Sequence, residues 1–182
     1  MAKMALYVAG LVLACLSTRT APDRLLKEAK ISLPEAVEKA LPEIKDGNAV
    51  SARIREEKSR ILYIVNIAQG ETAVRMSIDA KTKEVVEKTT LKKNYSKLVG
   101  ASKITIAKAV TAATEKVAGK DSRVSFELKK GKPIAEVIVV KDGKLFEVKL
   151  DGVTGAVIKV EEDDDDDDGD DDDDDDDEDD DD

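Results

Sequence analysis

The 182-residue chain has no histidine, no tryptophan and one cysteine, and its aromatic content is 3%. This excludes His-activated nucleophiles, His- or Cys-cluster zinc sites and an intramolecular disulfide. The formal net charge of −10 conceals a division: residues 1–160 hold all 30 Lys and Arg with 19 of the 40 carboxylates, a body of +11, whereas residues 161–182 are acidic everywhere but Gly169 and carry −21.

The chain opens MAKMALYVAGLVLACLS, with Lys3 followed by an apolar run from Met4 to Ala14. That run is about half of the ~20 residues that span a bilayer. It has the length of a signal-peptide apolar region, so residues 1–15 read as a signal or lipoprotein segment and 16–29 as a linker. Val12-Leu13-Ala14-Cys15 resembles a bacterial lipobox, in which Leu13 is a less usual occupant. The resemblance implies cleavage before Cys15, lipidation of its thiol and a membrane anchor. Ordinary cleavage nearby, for instance after Ser17, and an uncleaved anchor are the competing readings.

Residues 30–88 read as a first module, opened by ISLPEAVEKAL at 31–41. Ser32 is an N-cap residue, Glu35 completes a capping box, and Pro34 falls in the tolerant first turn. Leu33, Val37, Ala40, Leu41 and Ile44 share one face at helical spacing, and Pro42 is expected to end or bend the helix. The period then changes to two through Val50/Ala52/Ile54, Ile61/Tyr63/Val65/Ile67 and Val74/Met76/Ile78, with AQGE as a turn. The module closes on SIDAKTKEVV, where Asp79 is placed to hydrogen-bond the backbone ahead of it.

After a linker at 89–102, residues 103–160 repeat the pattern. In ITIAKAVTAAT, Thr105 is the cap and Lys108 stands where the Glu of a box belongs. Ile106, Ala109, Val110, Ala113 and Val117 line one face, and Gly119 is a natural stop. Alternation follows in Val124/Phe126/Leu128, Ala135/Val137/Val139 and Phe146/Val148/Leu150, separated by KKGKP and KDGK. KLDGVTGAVI closes the module, with Asp151 in the place of Asp79. Gly155 supplies the positive φ of a tight turn; its counterpart is Lys83, so the first turn is either of another type or mildly strained. Neither Asp79 nor Asp151 has a second acid, His or Cys beside it, and both read as structural.

Antiparallel strands with one apolar face need a cover, and the amphipathic helix before them is the nearest. The expected fold class is therefore α+β. It comprises two repeated modules, each an N-terminal helix packed on a three- to four-stranded antiparallel sheet, and a disordered acidic tail at 161–182.

The capped starts ISLPEAV and ITIAKAV, the alternating strands and the closing Asp-x-x-Thr-Gly of Asp151–Gly155 resemble the PepSY domain, over roughly residues 30–88 and 103–160. The first copy lacks the closing Gly. The resemblance implies extracytoplasmic, non-catalytic modules like those in propeptides of thermolysin-type peptidases. It further implies a peptidase or another envelope protein as partner, and it transfers no catalytic residues.

No phosphate-loop or Gly-x-Gly-x-x-Gly sequence is present, and Glu56 and Glu57, adjacent in strand-like or turn sequence, are expected to point to opposite faces or into solvent. No enzymatic activity is expected. The basic residues are scattered without aromatic interleaving, so no nucleic-acid partner is expected. Carboxylates suit Ca²⁺, and Asp164–Gly169 matches the first half of a calcium loop, although any Asp run before Gly does so. Asp164, Asp166, Asp168, Asp170 and Asp172 are the candidate ligands for diffuse Ca²⁺ binding at about millimolar affinity. No obligatory cofactor is expected. The tail is also long enough to fold back on the basic body through salt-screened contacts. The favoured function is a binding or regulatory protein that is periplasmic, cell-surface or secreted. The alternative is a low-affinity calcium- or mineral-surface-binding protein acting through the tail.

Overall fold

The computed structural model describes residues 22–163, which form an α+β fold. In chain order it contains α1 (Pro22–Glu28), α2 (Leu33–Ala40), a 3₁₀ turn (Leu41–Glu43), β1 (Asn48–Glu57), β2 (Arg60–Gln69), β3 (Thr72–Asp79) and β4 (Val85–Leu91). The second half follows with α3 (Ser96–Ala101), α4 (Ile106–Lys116), β5 (Lys120–Lys129), β6 (Lys132–Lys141), β7 (Lys144–Asp151) and β8 (Val157–Asp163).

Local chemistry sets the helix boundaries. The Glu35 N–H donates to Ser32 Oγ at 3.4 Å and the Ser32 N–H donates to Glu35 Oε2 at 2.7 Å, closing the capping box. At α4 the Lys108 N–H donates to Thr105 Oγ1 at 3.3 Å, and lysine has no acceptor for the return bond. The α-helix ends at Ala40, as Pro42 leads one to expect, and Pro42 sits within the 3₁₀ turn that follows. Gly119 acts through space rather than φ, since a Cβ there would lie 2.4 Å from the Val140 carbonyl oxygen.

In place of two sheets of three or four strands, the strands form one antiparallel sheet ordered β4-β3-β2-β1-β5-β6-β7-β8. Strands β1 and β5 would each be an exposed edge in a separate module. Pairing Ser51, Ala52 and Arg53 with Ser125, Val124 and Arg123 removes both edges. The helices cover one face, α2 reaching from β1–β3 to β5 and α4 from β5–β7 to β1. One core therefore runs through both halves, including Leu33, Val37, Tyr63, Ile106, Val110 and Phe126. The buried Tyr63 hydroxyl donates to the Ile31 carbonyl at 2.9 Å.

The two segments read as linkers carry structure. Within 16–29, α1 buries Leu25 and Leu26; within 89–102 lie the end of β4 and α3, which buries Leu98. Strand β8 enters the acidic run, placing Glu161 opposite Glu147 and Glu162 opposite Phe146. Lys159 holds Glu161 and Lys144 holds Glu162, both at 2.5 Å. Residues 161–163 are thus strand, because β7 offers a ladder and lysines offset their charge.

The two closing turns share one hydrogen-bond pattern. Asp79 Oδ1 accepts from the N–H groups of Lys81 (2.8 Å) and Thr82 (2.9 Å), and Asp151 Oδ1 from those of Val153 (2.9 Å) and Thr154 (2.8 Å). The Lys83 N–H donates to the Asp79 carbonyl at 2.9 Å, and the Gly155 N–H to that of Asp151 at 2.8 Å. Lys83 has φ 67° and Gly155 φ 80°. The turn type is therefore common to both halves, and Lys83 bears the strain, which costs an L-residue about 1–2 kcal/mol.

Lys83→Gly relieves that strain at the cost of a more flexible unfolded chain, and is expected to raise the unfolding free energy by about 0.5 kcal/mol. Gly155→Ala is expected to lower it by about 1 kcal/mol, since its Cβ would also sit 3.2 Å from Lys108 Cε. Urea denaturation of both variants checks this, and effects of the same sign would show the two turns to be inequivalent.

Candidate functional site

Cys15 and the candidate cation ligands Asp164, Asp166, Asp168, Asp170 and Asp172 lie outside the described residues. Among the described residues no group of three or more His, Cys, Asp or Glu is placed to hold a metal ion. No described helix is long and apolar enough to cross a membrane. Asp79 and Asp151 are bound into their turns. The N–H groups of Thr82 and Thr154, ahead of the other contacts, hold the two carboxyls below the usual aspartate range. Glu56 takes Arg24 on the helix side at 2.5 Å, whereas Glu57 takes Arg55 on the opposite face at 2.9 Å.

What the fold does offer is surface for a partner. Helices α2, α3 and α4 leave a cleft of ≈ 290 Å³, lined by Val37, Leu41, Leu98, Val99, Ile106 and Phe126. This is near the lower end of the about 300–1,000 Å³ range of ligand pockets, a size suited to an apolar side chain. Ser102 also lines the cleft, and its buried hydroxyl has no hydrogen-bond partner among the described residues. Sequence reasoning missed α3 and with it one wall. The signal was Asn94, whose Oδ1 accepts from the Ser96 N–H at 2.9 Å, ahead of the apolar pair Leu98-Val99.

Among the described residues the sheet ends on two open edges, β4 and β8. Val85 and Val86 on β4 and Ile158 and Val160 on β8 are exposed, Ile158 at 58%. Unpaired backbone beside exposed apolar side chains suits addition of an extended segment.

The face opposite the helices is charged. One cross-sheet row reads Glu161, Glu147, Ile138, Arg123, Arg53 and Ile64, from β8 to β2. Its β5–β8 half is laced by lysines: Lys129 bridges Glu127 at 2.5 Å and Glu136 at 2.7 Å, and Lys149 holds Glu147 at 2.6 Å. In the β1–β4 half Leu62 and Ile64 point the same way yet are each 4% exposed. Their register partners on β1 are Arg55 and Arg53.

Residues 103–161 match the family model described as the peptidase propeptide and YPEB domain, PepSY. Among solved structures, the chain is similar to a candidate lipoprotein from Clostridium difficile 630, at 21% identity, 76% of this chain, 97% of that chain and a TM-score of 0.49. It is also similar to the YpeB C-terminal domain of Bacillus megaterium, at 17% identity, 74% of this chain, 66% of that chain and a TM-score of 0.32. No curated protein matches.

One half-buried acid stands apart from these surfaces. Asp121 occupies the place on β5 that Ala49 occupies on β1, as their partners Val139 and Ile67 show. Its Oδ2 is buried with no hydrogen-bond partner among the described residues, and desolvation pushes its carboxyl up to about 6. Burial, then the Asp121 charge, raises the Tyr63 hydroxyl in turn. A raised carboxyl pKa contributes stability that is complete below the unfolded value of 3.8 and is lost as pH rises through about 6. The difference at neutral pH is about 3 kcal/mol. Asp121→Asn is therefore expected to gain stability relative to the parent as pH rises from 4 to 7.5, reaching about 1–3 kcal/mol. Denaturation midpoints across that range test it, and a pH-independent difference would show the carboxyl to be solvated.

Proposed function

We propose that this chain is an extracytoplasmic, non-catalytic PepSY-type binding protein that restrains a peptidase or engages another envelope protein. The match of residues 103–161 to the PepSY family carries the reading. PepSY domains are generally propeptide and regulatory modules rather than catalysts. In this reading residues 30–88 are a second PepSY module, supported by the shared cap, strand order and Asp-turn, and the two modules are fused through β1 and β5. The apolar run at 4–14, with Cys15 as the lipidation residue, supports an envelope location. The partner contacts are the β8 edge and the cleft between the helices.

Purified envelope peptidases of the thermolysin type from the same organism provide the test. The full chain is expected to form a 1:1 complex with one of them and to lower its kcat/KM, and Ile158→Asp on the β8 edge is expected to weaken the complex about tenfold. Absence of both complex and inhibition at about 10 µM, a concentration that detects micromolar affinity, overturns the reading.

A second reading is weak divalent-cation or mineral-surface binding through Asp164, Asp166, Asp168, Asp170 and Asp172. What favours it is the composition of residues 164–182, 18 carboxylates with no Lys or Arg. Calorimetric Ca²⁺ titration is expected to show saturation at about millimolar concentration that is lost when Asp164, Asp166, Asp168, Asp170 and Asp172 and the aspartates between them are replaced by Asn. Equal heats from the two proteins set this reading aside.

A further inference from the structure

Strand β8 is an open edge of the sheet among the described residues. Ile158 and Val160 are exposed on it, at 58% and 39%, and Val160 lies opposite the buried Val148 of β7. An edge of this kind is a template for another strand, and which strand fits depends on its charges. The seven residues Val157–Asp163 have Val160 at their middle, with Lys159 before it and Glu161 after it. Set antiparallel against itself over its whole length, β8 places Val160 on a twofold axis against the partner's Val160. Each Lys159 then faces the partner's Glu161, and opposite charges directly across a ladder stabilise it.

The other pairings of open edges fail the same test. Strand β4, Val85–Leu91, is also seven residues long, but its middle is Lys88, so self-pairing sets Lys88 against the partner's Lys88. Head-to-tail addition of β4 to β8, again antiparallel and over the whole length, sets Glu161 against the partner's Glu87. Moving the twofold axis of the β8 pair by one residue sets Lys159 on Lys159 or Glu161 on Glu161.

We propose that β8 pairs with β8 of a second copy of this chain, antiparallel and centred on Val160, which joins two eight-stranded sheets into one twofold-symmetric sheet. The pairing needs no unmet charge, since Lys159 and Glu161 hold each other at 2.5 Å within one chain; their positions select the register. The acidic segments beyond β8 leave in opposite directions. Asp163 and the partner's Asp163 are six residue positions apart along the ladder, about 20 Å, well beyond the screening length of about 8 Å at physiological salt. The irregularity at Ile158 leaves 159–161 as the regular pairs, as many as join β1 to β5. Helix α4 reaches to β7, so no shared core spans this junction, and the dimer is weak, dissociating at about 10–100 µM. It uses the same edge as the partner contact proposed above, so self-pairing and partner binding are alternatives, and β8 is free only in the monomer.

Sedimentation equilibrium of the full chain under reducing conditions, at about 0.15 M salt, tests the proposal. A monomer–dimer equilibrium is expected. Lys159→Glu and Glu161→Lys each set two like-charged pairs across the twofold axis, and each is expected to weaken the dimer about tenfold. Within the chain Lys159 lies opposite Lys149 and Glu161 opposite Glu147, so either reversal also places opposite charges across the β7–β8 ladder and leaves the fold intact. An equal mixture of the two variants regains both opposite-charge pairs, and heterodimers are expected at about the parent affinity. Absence of self-association at about 500 µM, well above the expected dissociation range, overturns the proposal. So does association unchanged by either substitution, which assigns it to another surface, or a mixture no more dimeric than the separate variants. Assemblies that grow beyond the dimer also overturn it and assign β8 to head-to-tail addition. Inhibition of a peptidase is measured separately and decides none of these outcomes.

Discussion

Three residue pairs, Ser51 with Ser125, Ala52 with Val124 and Arg53 with Arg123, hold the eight strands in one sheet. They are few because β1 and β5 each carry an irregularity near the start of the strand, after Ala49 and after Asp121, which turns the strands away from a longer ladder. The seam persists because the helices span it: α2 touches β5 and α4 touches β1. Hydrogen bonds at the seam and apolar burial above it therefore depend on each other. Separating the halves would expose two strand edges and also divide the core.

The closing turns tie this sheet to its helices. After Asp79 and Asp151 the chain reverses under side-chain control, and the carbonyls of Ala80 and Gly152 accept from the N–H groups of Lys30 and Lys103, just before the helix caps. Charge reinforces the link in two different ways. In the first half Lys83, on the turn, helps hold the Glu35 carboxyl of the capping box below the usual glutamate range, behind the Ser32 hydrogen bonds that dominate. In the second half the lysine is on the helix, and Lys108 Nζ donates to the Thr154 carbonyl at 3.3 Å. The strained Lys83 and the incomplete box at Thr105 are thus two solutions to one problem: how to hold a helix start against a turn from the other end of the same half of the chain.

Local chemistry was legible in the sequence and non-local pairing was not. Ser32 with Glu35, the apolar stripe of α4 and the strand alternations depend on neighbours within about four positions, where propensity and periodicity act. The β1–β5 seam joins residues some seventy positions apart, and an alternating strand reads the same whether its outer edge is paired or open. One sign was available: ILYIVNIA in β2 is apolar on both faces, the mark of an interior strand rather than one of a small half-covered sheet. The strand at 161–163 was hidden because composition says that acidic runs repel, while the compensating Lys144 and Lys159 lie on β7 and on β8 itself. Asp121 was invisible for the same reason, since its burial is set by elements that the sequence does not place beside it. Of the candidate sites, Cys15 and the tail aspartates rest on sequence, whereas the helix-side cleft needed α3 to be seen.

The two faces of the sheet answer to different demands. On the helix side Tyr63, Val65 and Ile67 of β2, Val74, Met76 and Ile78 of β3 and Ala135, Val137 and Val139 of β6 are apolar and buried, as a shared core requires. On the open side solubility alone would be met by alternating charges, and the strands do alternate them where Lys129 meets Glu136 and Lys149 meets Glu147. At the seam the register partners are Arg53 and Arg123. What holds that junction is the backbone pairing beneath it and the core that α2 and α4 carry across it.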